Sequence, residues 1–491
     1  MAKRPTIAPI LKILPLVVAG ILVGEWLDTE AWQSALSAAI CVACAVVWRR
    51  KRVANAYMAL AVVLVAMTST TLRQTPTDLT YDKPITTTAT ITSVPVEQGR
   101  WRVCDATIVS GGQKYKVSLR TDTALVAPIL GQRGELNTMV RELPANSYGR
   151  LMSRRGYSAF CYTYRSGDWT PTEQTSSPAI WAKRCQQRLA GRIDLLGLSN
   201  DQASVVKAMA LGWRSQMDSE LKEAYSRSGC AHLLAISGLH VGIVAMLVWA
   251  LLWFMPIVGR KGHVWRSWLT MAVMVIYAVV TSMSPSVLRA TLMFCSAQIG
   301  LSMGSTRSSV AALCTALSLM LLIRPNNLFD ISFQLSAVAV VGILAVYKTL
   351  RSKLMTSSVP LNAMVATILI GLCSMIATLP LVAHTFGIVG VAGVASNPVV
   401  ILSANILVLG TLGWSILPIE PLRGIVSWVI GNVAHIQNKF VAAISAIEHL
   451  KIEVTLSSEV VVSCYVLIIG TIAWWCFGKD RTKWIALNFA Y

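Results

Sequence analysis

Apolar positions run in long, nearly uninterrupted stretches through most of this chain, and only one region shows short alternating texture. Residues 7–27, 32–48 and 53–68 form three such runs, and others centre on 232–258, 267–283, 286–303, 308–323, 331–347, 361–383, 388–416 and 458–477. Most can cross a hydrocarbon core of roughly 30 Å as helices, so the pattern predicts a polytopic α-helical membrane protein with about 11–12 transmembrane helices. A less apolar helix at 424–447, carrying Asn432, His435, Gln437, Asn438 and Lys439, either spans or lies flat on a surface.

The exception is residues 73–175. Stretches 85–94 and 101–109 carry β-branched residues in partial alternation, Gly111 and Gly112 make a turn, and 114–120 returns as a third strand. Size and rhythm suit a small β domain, OB-fold-like with five strands, a small sandwich being the alternative. Residues 176–229 then hold segments of helical period at 181–196, with Lys183, Arg184, Arg188 and Arg192, and at 201–212. These read as amphipathic interfacial helices or as a connector packed on the β domain. The division expected is 1–72 N-terminal transmembrane helices, 73–175 extracytoplasmic β domain, 176–229 helical connector, 230–483 transmembrane channel domain and 484–491 tail.

Composition supports the membrane reading: of 491 residues, 54% are hydrophobic and 13% charged, with mean hydropathy +0.58. Forty-three Lys and Arg against 23 Asp and Glu give +20, much of which belongs in short cytoplasmic loops. Lys3 and Arg4 with Arg49, Arg50, Lys51 and Arg52 place both ends of the first hairpin inside. The third run then delivers the chain outward near Arg73, which puts the β domain outside. Clusters at Arg260, Lys261 and Arg266, at Lys348, Arg351 and Lys353, and at Lys479, Arg481 and Lys483 are all cytoplasmic if 424–447 spans. The N-terminus has signal-peptide features but no convincing small-residue cleavage site, so it reads as the first span. Cys41, Cys295, Cys314, Cys373 and Cys464 sit in apolar runs as small hydrophobes. Cys104 and Cys161 lie in the outside domain, where a disulfide between them is expected.

Polar residues and helix breakers gather at a few places inside the apolar runs, where they are costly. His232 and His240 share one flank if residues 232–242 form a single helix, with Gly238 and Gly242 offering a close-packing face; a break at Ser237 and Gly238 would instead free backbone groups at membrane depth. Pro285 starts a helix in which Arg289 sits one turn deep and must snorkel, pair or face water. Asp330 starts another, with Gln334 a turn deeper. Pro380, and Asn397 before Pro398, mark a broken helix pair, ordinary kinks being the competing account. In the β domain, Arg141, Arg150, Arg154, Arg155 and Arg165 accompany Tyr148, Tyr157, Phe160, Tyr162, Tyr164 and Trp169. They suit either a stacking platform for single-stranded nucleic acid or a hairpin with core aromatics and a solvated arginine face.

Residues 232–242 (His-Leu-Leu-Ala-Ile-Ser-Gly-Leu-His-Val-Gly), 284–290 (Ser-Pro-Ser-Val-Leu-Arg-Ala), 328–336 (Leu-Phe-Asp-Ile-Ser-Phe-Gln-Leu-Ser) and 377–398 resemble, in order and spacing, the membrane domain of the ComEC family of bacterial DNA-uptake channels. The 73–175 region is similar to that family's extracytoplasmic β domain. The resemblance implies a multi-pass protein of the bacterial inner (cytoplasmic) membrane that passes one DNA strand inward during natural transformation. It also implies partners: a periplasmic DNA-binding competence protein, a cytoplasmic ATP-driven translocase, single-strand-binding or strand-loading proteins, and membrane lipids. His232, Ser237, Gly238, His240, Gly242, Arg289, Gln334 and Asn397 would line or shape the channel, with Pro285, Asp330, Pro380 and Pro398 as structural helix starts. Two departures stand out. Ser332 occupies a position where the common family form has Gly, and the His-x-His-x-Asp-His cluster of the metallo-β-lactamase-like domain found in many members is absent from this sequence. No cofactor, metal or enzymatic activity is expected. A Gly-rich phosphate loop is also absent, which suits a conduit rather than a motor. An exporter or flippase of an envelope precursor, or a non-transport membrane scaffold, are the competing functions.

Overall fold

The computed structural model describes residues 10–27, 30–48, 53–72, 79–214, 217–234, 236–254, 260–302, 309–354, 358–390, 393–447 and 451–477. The basic residues at 3–4, 49–52, 73 and 479–483 and the 484–491 tail lie outside them. The chain forms two compact units, one of residues 12–187 with 318–330, the other of 1–11, 188–317 and 331–491.

The first unit begins with helices α1 (Ile10–Trp26), α2 (Ala31–Val47) and α3 (Val53–Thr71). A Cβ added to Gly20 of α1 would collide with the Val63 carbonyl and with Ala66 Cβ of α3, so only glycine lets these two helices approach so closely. Five strands then close into a barrel: β1 (Pro84–Ile91), β3 (Trp101–Ser110), β4 (Gln113–Asp122), β5 (Gln132–Arg141) and β6 (Ala159–Thr163). The order round the barrel is β1-β3-β4-β6-β5 and back to β1, with β4 and β6 parallel and the other pairs antiparallel. This is the OB-like barrel expected. Short β2 (Val96–Gln98) extends β3, β7 (Trp169–Gln174) extends β5, and helix α4 (Ser147–Arg154) precedes β6. Gly111 and Gly112 form the two-residue β3–β4 turn with positive φ at both, +57° and +78°, as a hairpin of matching twist requires. Alternate residues point inward, and Ile91, Ala106, Ile108, Tyr115, Val117, Leu119, Leu136, Val140 and Ala159 fill the core.

Cys104 and Cys161 are also in that core, and the expected disulfide is not formed: both thiols are free. Cys104 is in register with Leu119, and Leu119 with Cys161, so a whole strand separates them. Two inter-strand spacings of about 4.8 Å, even round a tight barrel, exceed the roughly 4.4–6.8 Å between Cα atoms that a disulfide needs.

The second unit contains α6 (Asn200–Leu211), α7 (Ser219–Arg227), α8 (Ala231–Leu234), α9 (Gly238–Trp253), α10 (Arg260–Val280), α11 (Pro285–Ser302), α13 (Ile331–Leu354), α14 (Val359–Phe386), α15 (Gly393–Ile416), α16 (Arg423–Ser445) and α17 (Ser458–Phe477). Helices α5 (Pro178–Asp194) and α12 (Ser309–Ile323) cross the boundary between units, and a short pairing of β8 (Ile388–Gly390) with β9 (Lys451–Glu453) follows α14. Among the described residues, Val53–Thr71, Val365–Phe386 and Val399–Ile416 are long and apolar enough to cross a membrane. Shorter apolar helices include Ala31–Val47, His240–Trp253, Val264–Val280, Ser309–Ile323 and Ile331–Tyr347. Large apolar side chains such as Leu36, Ile40, Met246, Leu251, Ile276 and Leu402 stand exposed on them, as lipid-facing residues do.

Helix α6 overturns the interfacial reading of 201–212. Ser199 and Gln202 cap its start reciprocally, and every residue from Ser204 to Leu211 is buried. Lys207 is buried with them and pairs with Asp194 at 2.6 Å. A segment buried on every face belongs inside a bundle, and α6 is central to the second unit's core. Helix α16 is tied to α7 and α15 through polar contacts. Gln437 Nε2 donates to the Tyr225 hydroxyl (2.7 Å), which donates to Asn438 Oδ1 (2.8 Å), and Ser403 Oγ donates to Gln437 Oε1 (2.6 Å).

Candidate functional site

The first motif is broken, and the break positions its polar groups. Helix α7 ends at Ser228, Gly229 takes a left-handed φ of +74°, and α8 is a single turn ending at Leu234. Helix α9 starts afresh at Gly238, with Ser237 in extended backbone (φ −94°, ψ 165°) before it. The histidines therefore do not share a helix flank: His232 belongs to α8 and His240 to the first turn of α9. The carbonyl of Leu234, freed by the break, accepts from Arg214 Nε at 3.0 Å. His240 is fully buried, and its Nδ1 accepts the Ser237 N–H at 3.2 Å. The side chains of His232 and Pro398 lie outside the described ones.

Helix α11 lies against this break. It starts at Pro285, as expected, after a turn in which Ser282 and Met283 hold positive φ of 60° and 49°. Arg289, one turn in, is 6% exposed, and its Nε and Nη1 have no hydrogen-bond partner. Snorkelling to a surface is thereby ruled out for this side chain. A Cβ on Gly238 would sit 3.6 Å from Arg289 Nη2 and 3.6 Å from Ala290 Cβ. The glycine thus faces the guanidinium. Gly242 does not make the close backbone approach expected of it: nothing lies within 4 Å of where its Cβ would be.

The third motif touches α11, and the fourth touches the link between α7 and α8. Asp330 precedes α13 in extended backbone, and Gln334 stands one turn into that helix. Ser336 of α13 meets Ser286 of α11, Oγ to Oγ 3.4 Å. On the other side Cys230 Sγ donates to Ser396 Oγ at 3.2 Å and approaches Asn397 Oδ1 at 3.9 Å, while Ser396 Oγ donates to the Ser228 carbonyl at 3.0 Å. Gly393 packs on Gly229. Pro380 and Pro398 are not helix starts: Pro380 is inside α14 and Pro398 is the sixth residue of α15. Helix α14 continues past Pro380, and the nearby Ala377 carbonyl accepts the Tyr465 hydroxyl at 3.2 Å. The actual interruption comes later, at Gly387 (φ +68°) and the β8 strand. Arg214, Cys230 and Ser396 had not been singled out in the sequence. Breaks flanked by a small polar residue and a glycine were the only signal pointing to them.

On the barrel's outer face, arginines and aromatics interleave, though not as one patch from 141 to 169. Trp101 meets Tyr162 and Tyr164 edge-on at 5.4 and 5.6 Å, and Tyr162 stacks on Tyr164 at 6.2 Å. Arg120 lies over Phe160 (4.4 Å) and donates to the Tyr162 hydroxyl (3.2 Å), and Arg141 lies 5.4 Å from the Tyr162 ring. Trp101 and Arg120 come from β3 and β4 and were not in the expected set. Tyr157, by contrast, is occupied: its hydroxyl donates to Asp105 at 2.8 Å and Lys116 covers its ring at 3.8 Å. Burial and Asp105 push the Tyr157 phenol up, and burial pulls Lys116 and Lys183 down. Arg154 packs on Phe329. Arg150 belongs to α4, Arg155 is its C-cap, and Arg165 is exposed in the loop before β7. Among the described residues no three His, Cys, Asp or Glu side chains gather where a metal could bind.

Residues 209–478 match the family described as competence protein, more than half of the 491 residues. The chain is also 34% identical over 139 residues to ComE operon protein 3 of Bacillus subtilis (strain 168), a stretch covering 28% of this chain and 17% of that relative. No solved structure matches. The matched region contains all four motifs, and the chain belongs to the competence protein family.

Proposed function

We propose that this chain is the inner-membrane conduit for one strand of DNA during natural transformation, crossing the membrane about 11–12 times as the apolar runs suggest. One observation carries the reading: four motifs, spread over some 170 residues of sequence, meet at helix breaks inside an otherwise apolar bundle. Discontinuous helices free backbone polar groups at membrane depth, which is tolerable against protein or a water-filled path. On this reading Ser237, Gly238, His240, Arg289 and Asn397 shape the path. The Trp101, Arg120, Arg141, Tyr162 and Tyr164 face of the barrel receives the strand outside. A periplasmic DNA-binding protein would deliver DNA, and an ATP-driven translocase with strand-binding proteins would draw it in.

The test is uptake of labelled DNA by cells carrying Gly238→Leu. A Cβ at this position fits at ordinary contact distance, so Gly238→Ala should retain uptake. The longer leucine would fill the space beside Arg289 and should abolish uptake at normal membrane abundance. Normal uptake by the leucine variant would exclude this part of the bundle from the path.

A further inference from the structure

Arg289 is a charge without a counter-charge. A guanidinium stays protonated under all ordinary conditions, and taking it out of water demands either a paired anion or a full set of acceptors. Here it is 94% removed from solvent, Nε and Nη1 have no acceptor, and among the described residues no carboxylate forms an ion pair with it. The missing acceptor atoms must come from something other than those residues.

What the guanidinium faces narrows the choice. Gly238, beside Arg289 Nη2, is the first residue of the 16-residue helix α9, whose opening turn presents N–H groups and the positive end of the helix dipole. Ser237, at the cap, places its hydroxyl against the same first turn. Gly242 lies one turn further along the same face of α9, is exposed, and has no atom within 4 Å of its Cβ position. The α9 face one turn on from Gly238 is therefore uncovered at Gly242.

We infer that Arg289, Ser237 and the first turn of α9 form an anion site that takes one phosphodiester of the DNA strand. The deduction of an anion stands on the geometry alone, and its identity as a backbone phosphate rests on the proposed transport function. A tetrahedral phosphate suits the place because its oxygens can accept from the planar fork of an arginine and from helix N–H groups at once. Such a site would grip each phosphate briefly and sequence-independently, since it reads no base.

The experiment uses the full chain in nanodiscs of phosphatidylcholine, following the thermal midpoint with inorganic phosphate, with a short oligothymidylate, and with its uncharged methylphosphonate analogue. Phosphate and oligothymidylate should raise the midpoint and the analogue should not. Arg289→Gln should weaken both responses roughly tenfold or more, with Arg289→Lys intermediate. The glutamine variant should also have a higher midpoint than wild type without ligand, because it removes an unpaired buried charge, whereas an arginine with a purely structural role would lower it. A wild type unresponsive to phosphate and oligothymidylate, or a glutamine variant responding equally, overturns the site. A response confined to nanodiscs containing phosphatidylglycerol assigns the arginine to a lipid headgroup and also overturns it. If oligothymidylate binds through Arg289 yet cells lacking the chain still take up DNA, the transport reading fails and the site survives. If deletion abolishes uptake while Arg289→Gln binds as wild type does, the site fails alone.

Discussion

At the scale of single residues, the two barrel cysteines show how chemistry follows placement. Each occupies an inward position of a strand, and burial raises both thiols from 9.0 to about 12. They are protonated and poor nucleophiles at neutral pH, since the thiolate is the reactive form. Alkylation of the native chain without reductant should leave both unmodified, and alkylation after denaturation should recover each on a separate peptide. A linked peptide pair would contradict the strand register. Because the folded thiols hold their protons more tightly than exposed ones, their contribution is complete below about pH 9 and fades as pH rises towards about 12. The stability of the folded chain against denaturant should fall across that window, and replacing both cysteines by alanine should flatten the fall. The presence of two thiols in the β domain was legible in the sequence, but their separation was not. Pairing depends on which strands are neighbours, and β4 inserts itself between β3 and β6 only once the barrel closes.

At the scale of elements, three barrel strands, β1, β3 and β4, could be read directly because alternation survives in sequence, whereas the helix breaks could only be narrowed. Residues 232–242 satisfy helical spacing throughout, and both a continuous helix and a break at Ser237 fit them. The outcome turned on non-local partners, Arg214 for the freed carbonyl of Leu234 and α11 for the face of Gly238. Helix α6 misled for a related reason: Lys207 and Asp201 give it a polar look, and pairing with the Asp194 carboxylate helps make Lys207 tolerable inside. The barrel face illustrates the same dependence. Register, not proximity in sequence, brings Arg120 opposite Tyr162. If this face receives single-stranded DNA, Arg120→Ala with Tyr162→Ala should weaken binding of oligothymidylate to the full chain more than Arg154→Ala with Arg155→Ala does. Stacking contributes about 1–3 kcal/mol per base, and Arg154 is engaged with Phe329. Binding by the wild type should fall steeply with salt as counterions are released, and equal effects of the two pairs would move the contact off this face.

At the scale of the whole molecule, the proposed cargo sets the energetics. Each phosphate entering a negative interior works against about 2.3 kcal/mol per 100 mV of potential, and the sequence carries no phosphate-binding loop through which this chain could use a nucleotide to oppose that cost. A single buried arginine cannot supply directional work, since a site that binds every phosphate equally leaves the cost of the next unchanged. It lowers the barrier for each passage, and direction must come from a motor or from the field. Proteoliposomes holding only this chain should therefore admit labelled oligothymidylate down the electrical gradient, faster when a potassium diffusion potential makes the lumen positive and slower when the lumen is negative. ATP enclosed in the lumen should change neither rate, with protection from added nuclease as the measure of entry. Rates indifferent to the sign of the potential would mean that the strand does not cross the field through this chain, and uphill entry driven by ATP would mean that a motor resides within it.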